Sequence, residues 1–208
     1  MKKSKKTKVL TLMGVLLAIE IIMAFTPLGF VPLGFTKATT IHIPVVIGAI
    51  FLGPLAGAIL GGAFGILSMI INTISPSLTS FVFSPFITIG GVQGNIWSLV
   101  IALVPRILIG VIAYYTYKWV SKINQKKVIA YAIAGIAGSL TNTICVMGGI
   151  YIFFGQQYAA AKQVSFDALF GVIMGVIGIN GIPEAIVAAV LVALVCKVLK
   201  GIFKEKLY

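Results

Sequence analysis

The sequence predicts an all-α polytopic membrane bundle, and three observations predict it. Hydrophobic residues make up 60% of the 208 and charged residues only 10%, where a soluble domain carries about 25% charged. No Asp, Glu, Lys or Arg occurs from residue 38 to residue 105. The apolar runs are long and do not alternate, which favours helices over a barrel. So little polar surface cannot cover a soluble core, which excludes a cytosolic enzyme, a disordered chain and a secreted domain.

Six membrane helices are expected, at about 9–28, 41–53, 54–74, 94–117, 128–154 and 182–199, in a single membrane domain over 1–208. The first follows five lysines, Lys2, Lys3, Lys5, Lys6 and Lys8. A signal peptide has similar flanks, but this run is long, contains Glu20 and lacks a small-residue cleavage site, so a retained helix is expected. The second and third meet at the corner Gly53-Pro54. The fourth begins near Gly94 and the fifth after Lys127. Segment 165–180 is apolar enough to span, and the positive-inside rule arbitrates. With six spans, the N-terminal lysines, the group Lys118, Lys122, Lys126 and Lys127, and the tail Lys197, Lys200, Lys204 and Lys206 share one side. The other side keeps only Lys37 and Lys162. A seventh span would move the tail lysines across. The expectation is therefore both termini cytoplasmic and a partly inserted outer loop helix at 165–180. Long structured loops are usually functional, and here they gather on the outer face.

The net charge of +12 reads as topology signal, because the lysines flank apolar runs instead of forming a nucleic-acid surface. Cys145 and Cys196 have no metal-ligand spacing, and no metal or cofactor is expected. No HExxH, GxSxG or GxxxxGK[ST] occurs, so the chain is not expected to be an enzyme or to hydrolyse ATP through a P-loop.

Gly53, Gly57, Gly61 and Gly65 recur every four residues and form a stripe along which a neighbouring helix can approach closely. Gly14 and Ala18 form a shorter small-residue pair. Its two readings are internal packing and a seam for another membrane protein.

Ionisable groups in lipid need a partner or a water-filled cavity. Glu20, Arg106 and Glu184 each lie about 18 to 20 Å from the inner edge at a rise of 1.5 Å per residue. Asn142 comes out slightly higher. An Arg106–Glu20 structural ion pair is expected, with direct ligand contact as the alternative. Asn180 and Glu184 flank Gly181-Ile182-Pro183, where the proline interrupts backbone hydrogen bonding beside polar groups, a common way to build a membrane binding site. Asn95 opens the fourth helix, whose free N–H groups suit an anionic ligand. Lys37 is placed to meet a carboxylate or water. His42 lies near an outer helix end, as an interface group or a ligand.

The run Ile41-His42-Ile43-Pro44 to Ala49, then Leu52-Gly53-Pro54-Leu55-Ala56-Gly57-Ala58 and Phe64-Gly65-Ile66-Leu67-Ser68, resembles the substrate-binding S component of energy-coupling-factor (ECF) vitamin transporters. Pro105-Arg106-Ile107-Leu108-Ile109-Gly110 and Asn180-Gly181-Ile182-Pro183-Glu184-Ala185 extend the resemblance over nearly the whole chain. It implies a bundle in a prokaryotic plasma membrane that captures a vitamin from outside. Such subunits dock on one transmembrane scaffold protein and two ATPases, which hydrolyse the ATP. The family's docking helix carries AxxxA, here Gly14-xxx-Ala18. The IHIP form is most similar to the pantothenate branch. Alternatives are folate or riboflavin cargo, or a stand-alone secondary carrier. The implied site places Asn95, Asn142 and Asn180 on the vitamin's amide and hydroxyls, and Lys37 or the fourth helix start on its carboxylate. His42 belongs to the same polar set, and Glu184 accepts from hydroxyls or orients an asparagine.

Overall fold

The computed structural model describes residues 2–32 and 37–202. Its helices are α1 (Lys2–Ala24), α2 (His42–Leu52), α3 (Pro54–Ile74), α4 (Ile96–Ile123), α5 (Lys127–Ala161), α6 (Phe166–Val176) and α7 (Ile182–Ile202). A π turn, Ile177–Gly181, joins α6 to α7, so the two make one apolar helix over Phe166–Gly201. The expected outer helix at 165–180 is therefore present and continuous with the last span. Pro183 accounts for the junction: it lacks an N–H and its ring crowds the carbonyl four residues back, which a π turn accommodates. Five helices are long and apolar enough to cross a membrane, and α2 is a shorter apolar helix.

Chain direction follows from which backbones touch. A Cβ added to Gly65 would lie 2.6 Å from Ala102 O, and one on Gly57 would lie 3.0 Å from Gly110 Cα. Thus α3 and α4 run antiparallel along the glycine stripe, backbone close to backbone. Gly61 falls between those positions, against the Arg106 carbonyl. At the α2–α3 corner Gly53 has φ 97°, a backbone state open to glycine. Pro54 then starts α3, where its missing N–H costs nothing.

At the opposite end of the bundle lie two hairpins. Strands β1 (Phe30–Pro32) and β2 (Lys37–Thr39) pair antiparallel, as do β3 (Thr88–Ile89) and β4 (Val92–Gln93). Loop three, between α3 and α4, is tied down by side chains. Ser80 Oγ donates to Asn72 Oδ1 at 2.6 Å, Ser98 Oγ donates to Phe81 O at 2.7 Å, and Thr73 and Ser84 share a 2.7 Å bond.

Two buried apolar clusters result. The first includes Leu16, Ile41, Val46, Leu60, Phe64, Ile109 and Val192. The second, toward the hairpin end, includes Phe81, Ile101, Ile150, Phe154 and Leu169. Helix α5 kinks at Phe154, which lets its outer turns lean on α6. At 35 residues, α5 is about 50 Å long, well beyond a hydrocarbon core of about 30 Å. Many large apolar side chains, such as Ile22, Tyr115, Ile152 and Val198, face outward, as a lipid solvent requires.

Candidate functional site

Between the two clusters lies a cavity of about 240 Å³, lined by Ala24, Thr39, Ile41, Phe64, Leu67, Ser68, Ile71, Asn72, Phe83, Arg106 and Asn142. Its register can be read from packing. A Cβ on Gly138 would meet Val46 Cγ2 at 2.7 Å and Ile109 Cγ2 at 3.3 Å. One turn further outward on the same three helices stand His42, Asn142 and, on α4, Pro105-Arg106.

Arg106 is held by a consequence of its neighbour. Pro105 lies inside α4 and has no N–H to give the carbonyl four residues back, which is Ile101 O. The Arg106 guanidinium takes that role, donating from Nη1 to Ile101 O at 2.7 Å. Its carbon lies 5.5 Å from the Phe64 ring centre and 5.3 Å from that of Phe83, both within cation–π range. The side chain is 6% exposed, and its Nε has no hydrogen-bond partner.

The expected Arg106–Glu20 ion pair does not form. Glu20 is 0% exposed, and neither of its carboxyl oxygens has a hydrogen-bond partner. Equal depth along two helices does not set the direction in which each side chain points. Arg106 turns toward the cavity and its two phenyl rings instead.

The remaining expected residues separate into groups. Asn142 lines the cavity, with Oδ1 buried and unpartnered. His42 is buried beside that layer with both ring nitrogens unpartnered, but it is not in the cavity wall. Asn95 is exposed and serves its own helix: its side chain accepts from Trp97 N at 2.9 Å, in a capping box with Ser98. Asn180 sits half-buried in the π turn, away from the cavity lining. Glu184 is buried, and its Oε1 accepts from the Thr39 N–H at 2.8 Å while Oε2 lies 3.5 Å from Thr143 Oγ1. It therefore holds hairpin β1–β2 against α7 and orients Thr39, which is in the wall. Lys37 contributes backbone to that hairpin, and its side chain lies outside the described residues. The sequence reading missed Ser68 and Phe83 in the wall. Asn72 is also there, though Ser80 and Ser68 O occupy its amide. Ser68 and Asn72 are one helical turn apart on α3, a polar pair in an apolar span that spacing alone could have singled out.

The description "ECF transporter, substrate-specific component" belongs to the family model that matches residues 8–196. The chain belongs to this family. It is an ECF substrate-specific (S) component, an integral membrane protein of a transport system and not an enzyme. A vitamin substrate and an ECF module as partner go with that membership. Among relatives, the Pantothenic acid transporter PanT of Lactococcus lactis subsp. cremoris is 37% identical over 193 residues, covering 92% of each chain. The Pantothenate transporter PanT of Leuconostoc mesenteroides subsp. mesenteroides is 30% identical over 205 residues, covering 94% of each. Among the S component's described residues, no group of three or more His, Cys, Asp or Glu could hold a metal ion.

On α1 the surroundings are different. Gly14 and Ala18 are exposed, and a Cβ added to Gly14 would meet nothing within 4 Å. Among the described residues, Gly14 and Ala18 thus lie on an exposed face of α1.

Proposed function

We propose that this S component binds pantothenate in the cavity between α1, α3, α4 and α5. One observation carries the reading: Arg106 is a buried guanidinium with no acidic partner among the described residues, and it stands in the wall of a cavity of small-molecule size. A buried cation of this kind is stabilised by a ligand anion. Pantothenate has one carboxylate, with an amide and two hydroxyls beyond it. In this reading Arg106 takes the carboxylate. Asn142, with its free Oδ1, takes a hydroxyl or the amide N–H, and Ser68 meets the other polar end. His42, buried beside the same layer, sets its polarity without touching cargo. The names of the two relatives support the choice of vitamin.

The subunit then sits in a prokaryotic plasma membrane with both termini cytoplasmic, since that arrangement puts most lysines inside. It delivers its cargo by docking on a transmembrane scaffold protein and two ATPases. The uncovered Gly14–Ala18 stripe supports α1 as the docking helix, because small residues permit close helix contact.

The test is mass spectrometry of the ligand that copurifies in mild detergent, followed by titration with pantothenate, riboflavin and folate. Pantothenate alone should be recovered and bound tightly. Recovery of another vitamin, or affinity unchanged in Arg106→Met, overturns the assignment.

A further inference from the structure

A second, larger depression of about 870 Å³ lies at the outer ends of α1 and α3, lined by Ala24, Phe25, Thr26, Pro27, Ile71, Ile74, Ser75 and Ser77. It shares Ala24 and Ile71 with the buried cavity. These two residues stand between the two spaces. One of them carries only a methyl group, and the other is half-buried.

Among the described residues, three other sides of the cavity are held by firmer structure. On the α4 side, Phe81, Val82 and Ser84 of loop three are buried, and three side-chain hydrogen bonds anchor the loop. Toward α7, the Glu184 carboxylate holds Thr39 of the hairpin. From the inner end, the glycine contacts of α3 with α4 leave no gap. Across the α1–α3 seam no hydrogen bond is formed at the level of the depression among the described residues: Thr26 Oγ1 donates to its own helix at Ile22 O, and Thr73 Oγ1 bonds Met69 O and Ser84. Apolar contacts without hydrogen bonds can slide at small cost, whereas a buried hydrogen bond must be broken.

We infer that the vitamin enters and leaves through this α1–α3 seam, with the depression as a vestibule and Ala24 and Ile71 as its neck. The inference rests on the reading that the buried cavity is the cargo site. An obstruction in the vestibule must then slow entry and exit by the same factor, because it changes the path and not the two end states.

The experiment uses the full chain in detergent with labelled pantothenate, in a Cys145→Ala background. Ser75→Cys, an exposed vestibule position, is modified with a bulky maleimide after folding, so that folding is not at issue. Expected is a parallel fall of kon and koff of about tenfold with Kd within about twofold, unlike the usual interface change, which acts mainly on koff. The same label at Ile22→Cys, on the outward face of α1, should leave both rates unchanged. Thr26→Trp offers the same obstruction without chemistry. Unchanged rates in both obstructed proteins overturn the inference, and so does a weaker Kd that arises from faster dissociation alone. If the unmodified protein binds no pantothenate, the cargo assignment is what fails. The same rate comparison is then made with riboflavin or folate, whichever it binds, and decides the route.

Discussion

Helix α3 has two contrasting neighbours. Against α4 it presents Gly57, Gly61 and Gly65, and the backbones touch. Against the outer end of α1 it presents Ile71, Ile74 and Ser75, and an open depression lies between them. The first seam is closed mainly by backbone, which cannot change rotamer. The second is bordered by side chains that can change rotamer, and among the described residues no hydrogen bond crosses it. The contrast teaches that one helix can be both the fixed wall of a cavity and one side of the depression beside it.

The largest expected effect comes from breaking the closed seam. Gly61→Val places side-chain atoms against the Arg106 carbonyl, where the backbone cannot yield. It should destabilise the protein by about 3 kcal/mol, the upper range for overpacking, read as a lowered Tm in detergent. A Tm within error of the parent would show that the seam opens easily, and the contrast with α1 would be lost. Next, Arg106→Met removes the buried cation from the wall. Pantothenate affinity should fall by about 30- to 100-fold, from charge-assisted bonds of about 2 to 3 kcal/mol, measured by calorimetric titration. Third, Glu184→Ala leaves the Thr39 N–H unpaired, at a cost of about 1 to 2 kcal/mol. Glu184→Gln keeps an acceptor and should restore most of the loss. Faster vitamin release in the alanine variant alone would mark this bond as a clamp on the wall. The smallest effect on the isolated chain is at Gly14→Leu. The site is open, so stability should change by less than about 0.5 kcal/mol, while coprecipitation with the ECF module is lost.

Much of the fold was legible because lipid imposes a simple demand. Backbone groups in hydrocarbon must be paired within a helix, so each long apolar run had to be one. Pro54 after Gly53 marked the inner corner, and the four-residue glycine spacing marked the face on which α3 meets a neighbour. Helix ends were less legible. The first helix stops at Ala24 and gives way to a turn at Pro27–Gly29, although the apolar character continues to Leu28. Helix α5 runs on to Ala161, because its outer turns find a partner in α6.

The site divides along the same line. Spacing placed Arg106, Glu20, Glu184 and Asn142 at related depths, and two of the four line the cavity. Depth is a one-dimensional quantity that residue counting supplies. Direction around the helix axis depends on neighbours that only the assembled bundle brings. That is why Glu184 holds a hairpin and Arg106 turns away from Glu20 toward Phe64 and Phe83, whereas Asn95 is taken locally by the cap of its own helix.

By itself, then, the sequence determined that this is a helical membrane protein, which residues are its polar exceptions, and the family signature at the α2–α3 corner. Composition and periodicity carry that information because they act locally on each segment. Tertiary structure alone decided which of the polar residues meet in one cavity, and that this cavity adjoins an opening beside α1. Those are relations between segments far apart in the chain, set by side-chain packing across helix seams, and no single segment encodes them.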